Sequence, residues 1–251
     1  MIKILTSDFG NYEKVNGEKI TYPMSNENGI VDQLKESLKG KNKIVFIASD
    51  INSTPESVSP YARILFDSMK MAGITFNEYL IIDGTNYDKA SEYIEGADLV
   101  FLCGGDTYKQ YKLFSKMNLK QILSSYSGIV MGQSAGALNM ATHVFNSPEE
   151  KEESEPIFYE GLGLTTINIE PHFEYDDTNF NDKEKYQRDA IIKESYNRTI
   201  YGQCNGSHIF INEDDLATIY GETYLIINGK IKKICDNQNS FIINKASNLK
   251  K

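Results

Sequence analysis

Gly128-Ile129-Val130-Met131-Gly132-Gln133-Ser134-Ala135-Gly136-Ala137 is the stretch on which the reading of this chain turns. An apolar, β-prone run ends at Gly132, and a helix-compatible run, Ala137-Leu138-Asn139-Met140-Ala141, departs from Gly136. Strand, Gly-x-Ser-x-Gly, helix is the layout of a nucleophile elbow. A serine hydroxyl is a weak nucleophile unless a sharp turn holds it clear of its neighbours and within reach of a base. Glycines two positions before and after supply the backbone room for that turn. The amide of the next residue, Ala135, then points to where an oxyanion would form.

Outward from the elbow, short apolar runs alternate with helical spacings. Strands are expected at Ile2–Leu5, Ile44–Ser49, Tyr79–Ile82, Leu99–Cys103 and Ile129–Met131. Helices are expected at Ile30–Lys39, Pro60–Ala72, Tyr87–Gly96 and Thr107–Ser125. This alternation predicts an α/β fold of three layers, with a mostly parallel central sheet and helices on both faces. Ligands in such sheets sit at the carboxyl ends of the strands, where Gly104 and Ser134 both fall. The last third changes to short strands at 200–201, 208–211, 216–220, 223–227 and 230–234, with Asn228-Gly229 as a hairpin turn. No linker or repeat divides the 251 residues. They are expected to form a single α/β hydrolytic domain, with its catalytic core at about 40–212 and a C-terminal β-hairpin region at about 213–245.

Composition narrows the partners. A net charge of −9 argues against nucleic acid and anionic membrane surfaces. Three cysteines without metal-like spacing predict neither a disulfide framework nor a metal site, and no cofactor is implied. The first residues lack the pattern of a signal peptide, and no apolar run approaches the length of a membrane span. The expectation is a cytoplasmic protein, monomeric or homodimeric.

The serine needs a base, and there are three histidines. His143 follows the helix that leads away from the elbow, and His208 lies within an expected strand of the tail. His172, in Pro171-His172-Phe173 where an apolar run ends, is the chosen base. A further segment, Cys103-Gly104-Gly105-Asp106-Thr107, ends a buried strand in two glycines whose amides can supply a second oxyanion donor.

Together these segments resemble the dipeptidase E and cyanophycinase family of serine peptidases, whose fold is related to class I glutamine amidotransferases. Cys103–Thr107 is similar to the family's Gly-Gly-Gly-Asn-Thr turn, Ser134-Ala135-Gly136-Ala137 to its elbow, and Pro171-His172-Phe173 to its base segment. The resemblance runs from about residue 44 to 230. It implies a serine exopeptidase cleaving small peptides through an acyl-enzyme, with Ser134 as nucleophile and His172 as base. Ala135 with Gly104 or Gly105 would form the oxyanion hole. In the family an aspartate about 15 residues after the serine completes the triad; here that position is Glu149, with Glu150 beside it. Candidate substrate-binding residues are Asp106, Thr107, Gln133 and Arg188. Asp106 replaces the family's asparagine and would repel an acidic side chain or hold a substrate amino group. Arg188, with Lys185, could instead restore acid specificity. The alternatives are a serine hydrolase of another small acyl, ester or β-linked amide substrate, or a non-catalytic binding protein on the same scaffold.

Overall fold

The computed structural model describes residues 1–148, 155–175 and 182–243, with side chains from 186 onward in the last segment. The strands of the first half are β1 (Ile2–Thr6), β2 (Tyr12–Val15), β3 (Glu18–Thr21), β4 (Lys43–Ile47), β5 (Glu78–Ile82), β6 (Leu99–Leu102), β7 (Ile129–Gln133) and β8 (His143–Asn146). Those of the second half are β9 (Ile157–Glu160), β10 (Asn168–Glu170), β11 (Ile200–Gln203), β12 (His208–Ile211), β13 (Ala217–Tyr220), β14 (Thr223–Ile227), β15 (Lys230–Cys235) and β16 (Ser240–Ile243). The helices are α1 (Ile30–Ser37), α2 (Pro55–Met71), α3 (Ala90–Ile94), α4 (Thr107–Lys116), α5 (Leu119–Leu123), α6 (Ala135–Leu138) and α7 (Asp182–Glu194).

The main sheet has eight strands in the order β16-β13-β12-β1-β7-β6-β4-β5. From β1 to β5 every pairing is parallel, and β12, β13 and β16 add on antiparallel. Every residue of β1 and β6 is buried, so both faces of the sheet are covered, which is why these strands read as unbroken apolar runs. Phe46 and Phe101 stack across neighbouring strands, with ring centroids 5.6 Å apart. A second sheet, β10-β11-β14-β15, packs its own cluster of Phe145, Phe173, Ile191, Ile200, Tyr224 and Ile226. The residues after 212 therefore divide between the two sheets: β13 and β16 extend the large one, while β14 and β15 form a hairpin in the other. Asn228 and Gly229 both take positive φ at its turn, as a two-residue I′ loop requires.

Three helices differ from the periodicity; that expected over Tyr87–Gly96 is a 3-10 turn at Tyr87–Lys89 followed by the short α3. The helix expected from Pro60 begins at Pro55, and Thr54 N–H donates to Ser57 Oγ at 2.9 Å to close its first turn. Pro60 lies inside it, near enough to the start to forfeit little of the ladder. The run 107–125 is broken at Met117-Asn118, where Asn118 adopts φ 57° and starts α5. The hairpin β2–β3 stands apart from the main sheet against α2. Among the described residues no helix is long and apolar enough to cross a membrane.

Candidate active site

Strand β4 leads outward to β5, whereas β6 and β7 lie on its other side. The loops after β4 and β6 therefore diverge, and this switch point is where an open α/β sheet leaves a crevice. A cavity of about 680 Å³ lies there, lined by Ser49 and Asp50 after β4, Gly104 and Gly105 after β6, and Ser134 after β7.

Ser134 sits at φ 50°, ψ −112°, a conformation that L residues avoid and that marks strain held by its surroundings. The holding is visible. Ser134 N–H donates to Thr6 O at 2.9 Å, and Thr6 Oγ1 donates to Gly132 O at 3.1 Å, so β1 clamps the turn. A Cβ on Gly132 would lie 2.6 Å from the Ala137 nitrogen, and one on Gly136 would collide with the Leu102 carbonyl. The two glycines of the elbow thus let α6 sit directly on β6 and β7.

His172 projects from the loop after β10 at φ 54°. Phe173 anchors that loop: its N–H donates to Gln203 O at 2.9 Å, and its ring fills the space that Gly202 leaves by having no side chain. His172 Nε2 lies 3.0 Å from Ser134 Oγ. The other ring nitrogen, Nδ1, lies 2.7 Å from Asn205 Oδ1. Ser7 joins this arrangement twice: its hydroxyl accepts from His172 N–H at 2.7 Å and donates to Asn205 Oδ1 at 3.1 Å. An oxygen facing Nδ1 calls for a proton there, which leaves the Nε2 lone pair directed at the serine. Glu149 and Glu150 lie outside the described residues.

The N–H groups of Gly104, Gly105 and Ala135 have no acceptor among the described residues. Gly105 takes φ 142°, and a side chain there would strike Ser49. The other expected site residues separate. Gln133 lines the cavity and donates to Asp8 Oδ1 at 3.0 Å. Asp106 instead caps α4, accepting from Lys109 N–H at 2.8 Å, and Thr107 is buried with its carbonyl accepting from Asn139 Nδ2 at 2.9 Å. Neither lines the cavity. Arg188 stacks on Tyr175, 4.7 Å from the ring centroid, also away from the cavity lining; the side chain of Lys185 is outside the described set.

The remaining histidines are placed elsewhere. His143 Nδ1 meets Glu160 Oε1 at 2.5 Å on the surface. His208 is buried, 2.8 Å from Gln33 Oε1, and burial lowers its pKa to about 3. Cys103 lines the cavity, but burial pushes its thiol up to about 12, leaving almost no thiolate at neutral pH. No group of residues among those described could hold a metal ion. Asn205, Ser7 and Asp8 were not singled out by the sequence. The one available signal was Cys204-Asn205-Gly206, which reads as an ordinary turn.

An elbow serine, a histidine at hydrogen-bonding distance and unpaired amides on an α/β sheet define a hydrolase-type site. Comparison with known proteins gives the family. Residues 21–219 match the model of peptidase family S51, and the chain belongs to that family. Two solved structures share the fold. One is a peptidase from an acI-B1 Actinobacterium, 14% identical, with a TM-score of 0.66 over 96% of each chain. The other is a putative peptidase E protein from Listeria monocytogenes EGD-e, 17% identical, with a TM-score of 0.53 over 93% of this chain and 98% of that one. None of the curated proteins matches the sequence.

Proposed function

We propose that this protein is a serine exopeptidase that hydrolyses small peptides through an acyl-enzyme. The observation that carries the reading is the 3.0 Å approach of His172 Nε2 to Ser134 Oγ, with Nδ1 held by Asn205. His172 takes the hydroxyl proton as Ser134 Oγ bonds to the scissile carbonyl carbon. The developing oxyanion is met by the amides of Ala135 and of Gly104 or Gly105, each such donor being worth about 2.7–4 kcal/mol. Collapse of the tetrahedral intermediate breaks the C–N bond, and His172 returns the proton to the leaving amine. Water, deprotonated by the same imidazole, then releases the acid and restores Ser134.

Asn205 orients the ring by its carbonyl dipole, the part a carboxylate plays in the Ser-His-Asp arrangement. An amide carries no net charge, so it selects the tautomer while stabilising the imidazolium less than an anion would. The test is intact mass after treatment with a fluorophosphonate probe, followed by a panel of dipeptide, β-aspartyl and ester substrates. A single adduct on wild type, absent from Ser134→Ala, together with dipeptide cleavage is the expected result. An unmodified, fully folded wild type that cleaves nothing in the panel would remove the reading.

A further inference from the structure

The lining of the cavity beside Ser134 is of two kinds. The apolar Phe46, Leu65, Phe101 and Tyr61 share it with the carboxylates Asp8 and Asp50, and among the described residues no lysine or arginine lines the space. Two lysines among the described residues stand close by, and both are engaged. Lys109 Nζ lies 3.6 Å from Asp50, so that carboxylate already has a counter-charge. Lys19 is held over the rings of Tyr61 and Tyr12, 3.6 and 4.7 Å from their centroids. Asp8 differs. It is half-buried, and among the described residues Oδ1 accepts only from neutral donors, Gln133 Nε2 at 3.0 Å and Gly10 N–H at 3.2 Å.

Resting on the peptidase reading above, we propose that the substrates are short peptides with a free amino terminus and an apolar or aromatic first residue. Asp8 holds the α-ammonium, and the apolar lining, Tyr61 and Ile64 with the edges of the buried Phe46, Leu65 and Phe101, takes the side chain. Gln133 immediately precedes the nucleophile and fixes the Asp8 carboxylate. A cation seated at Asp8 therefore belongs to the residue whose carbonyl meets Ser134. An ammonium paired with a carboxylate at the edge of an apolar cavity gains more than it would in open water. An N-terminal aspartate would bring its own carboxylate toward Asp8 with no cation among the described lining residues to receive it, and like charges so placed reject a ligand. Asp8 also precedes residue 21, where the match to the family begins, so the carboxylate of this recognition lies outside that match while its apolar lining lies within it.

The experiment measures binding to the Ser134→Ala protein by calorimetry, using Phe-Ala, N-acetyl-Phe-Ala and Asp-Ala. Phe-Ala is expected to bind at least tenfold tighter than either of the others. Asp8→Asn, which keeps the shape, is expected to reduce that margin to threefold or less without shifting the thermal midpoint. Asp50→Asn, relieved of a charge already paired with Lys109, is expected to keep most of it. Equal binding of the acetylated peptide, preference for Asp-Ala, no binding by any of the three, or indifference to Asp8→Asn overturns the proposal. The Ser134→Ala background separates the two ideas. A preference for Phe-Ala in a protein whose wild type takes no probe keeps the ligand class and removes the hydrolase; labelling without that preference does the reverse.

Discussion

Replacing Asn205 by alanine isolates the contribution of the imidazole's second hydrogen bond. The side chain is exposed, and its oxygen accepts from His172 Nδ1 at 2.7 Å and from Ser7 Oγ at 3.1 Å. Removing an exposed side chain leaves no cavity, so the thermal midpoint should hold to within about 2 °C, the effect expected of a surface change of ~0.5 kcal/mol. The kinetic cost is separate. A hydrogen bond to a group that becomes charged is worth about 1.5–3 kcal/mol. In the proposed mechanism the imidazole acquires that charge as it deprotonates Ser134, so the loss falls on the transition state. At 1.36 kcal/mol per tenfold, the rate should drop by roughly 10- to 150-fold. The assay is the second-order rate of fluorophosphonate labelling, which reports activation of Ser134 without depending on the natural substrate. Ser7→Ala supplies the second edge of a double-mutant cycle. Because Ser7 reaches the ring through Asn205 and through the His172 N–H, the two losses should be less than additive. A labelling rate within twofold of wild type for Asn205→Ala would refute the reasoning; a large loss in Glu149→Gln beside it would transfer the orienting role to Glu149.

Other outcomes follow from the same geometry. Cys103→Ala should leave probe labelling within about threefold of wild type, since a thiol raised to about 12 contributes negligible thiolate at pH 7; abolished labelling would contradict this. Gly136→Ala drives a Cβ into the Leu102 carbonyl and should cost about 1–3 kcal/mol, lowering the thermal midpoint by roughly 2–12 °C in a chain of this size. An unchanged midpoint would mean that α6 can lift off the sheet freely. His208 makes stability fall with acidification. The unfolded chain protonates it near 6.5, whereas the folded one resists until about 3, so stability is complete above 6.5 and lost as pH falls below it. Between pH 6.5 and 5, above the ordinary carboxylate range, the loss should be about 1.6 kcal/mol, the slope steepening toward ~1.4 kcal/mol per unit. Urea denaturation across that window should show it, and His208→Gln should flatten the slope; equal slopes would exclude His208 as the source.

The parallel half of the fold was legible because strands buried on both faces must be apolar throughout, as Ile44–Ile47 and Leu99–Leu102 are. The approach of His172 to Ser134 was legible because each sits in a short motif whose neighbours explain its geometry: the flanking glycines for one, Pro171 and Phe173 for the other. The hairpin β2–β3 went unrecognised since both of its faces are largely exposed and carry no alternation of apolar and polar residues. Its turn was nonetheless written as Asn16-Gly17, both at positive φ, the same signal that located the Asn228-Gly229 hairpin. The partners of His172 and Gln133 belong to a different order of information. Asn205 lies 33 residues from His172, and Asp8 lies 125 from Gln133. The parallel pairing of β10 with β11 sets the His172 and Asn205 loops side by side, and the pairing of β1 with both β7 and β12 brings Asp8 and Gln133 to the same end of the main sheet. An asparagine before glycine carries no mark of that closure.

That double pairing of β1 also sets a timetable for biosynthesis. Ile2–Thr6 emerges from the ribosome long before either neighbour exists: residues 129–133 form one edge, and 208–211 the other. Until then a buried-type apolar strand has both hydrogen-bonding edges open, the state most prone to pair with another chain. Chaperone capture of nascent chains, or growth at lowered temperature, should therefore govern how much protein is recovered, more than the stability of the finished fold. The same timing means that a ribosome-bound chain stopped short of residue 208 holds Ser134, His172 and Asn205 but lacks β12, the strand that ties the Asn205 loop to β1, so the proposed site is assembled only late in translation.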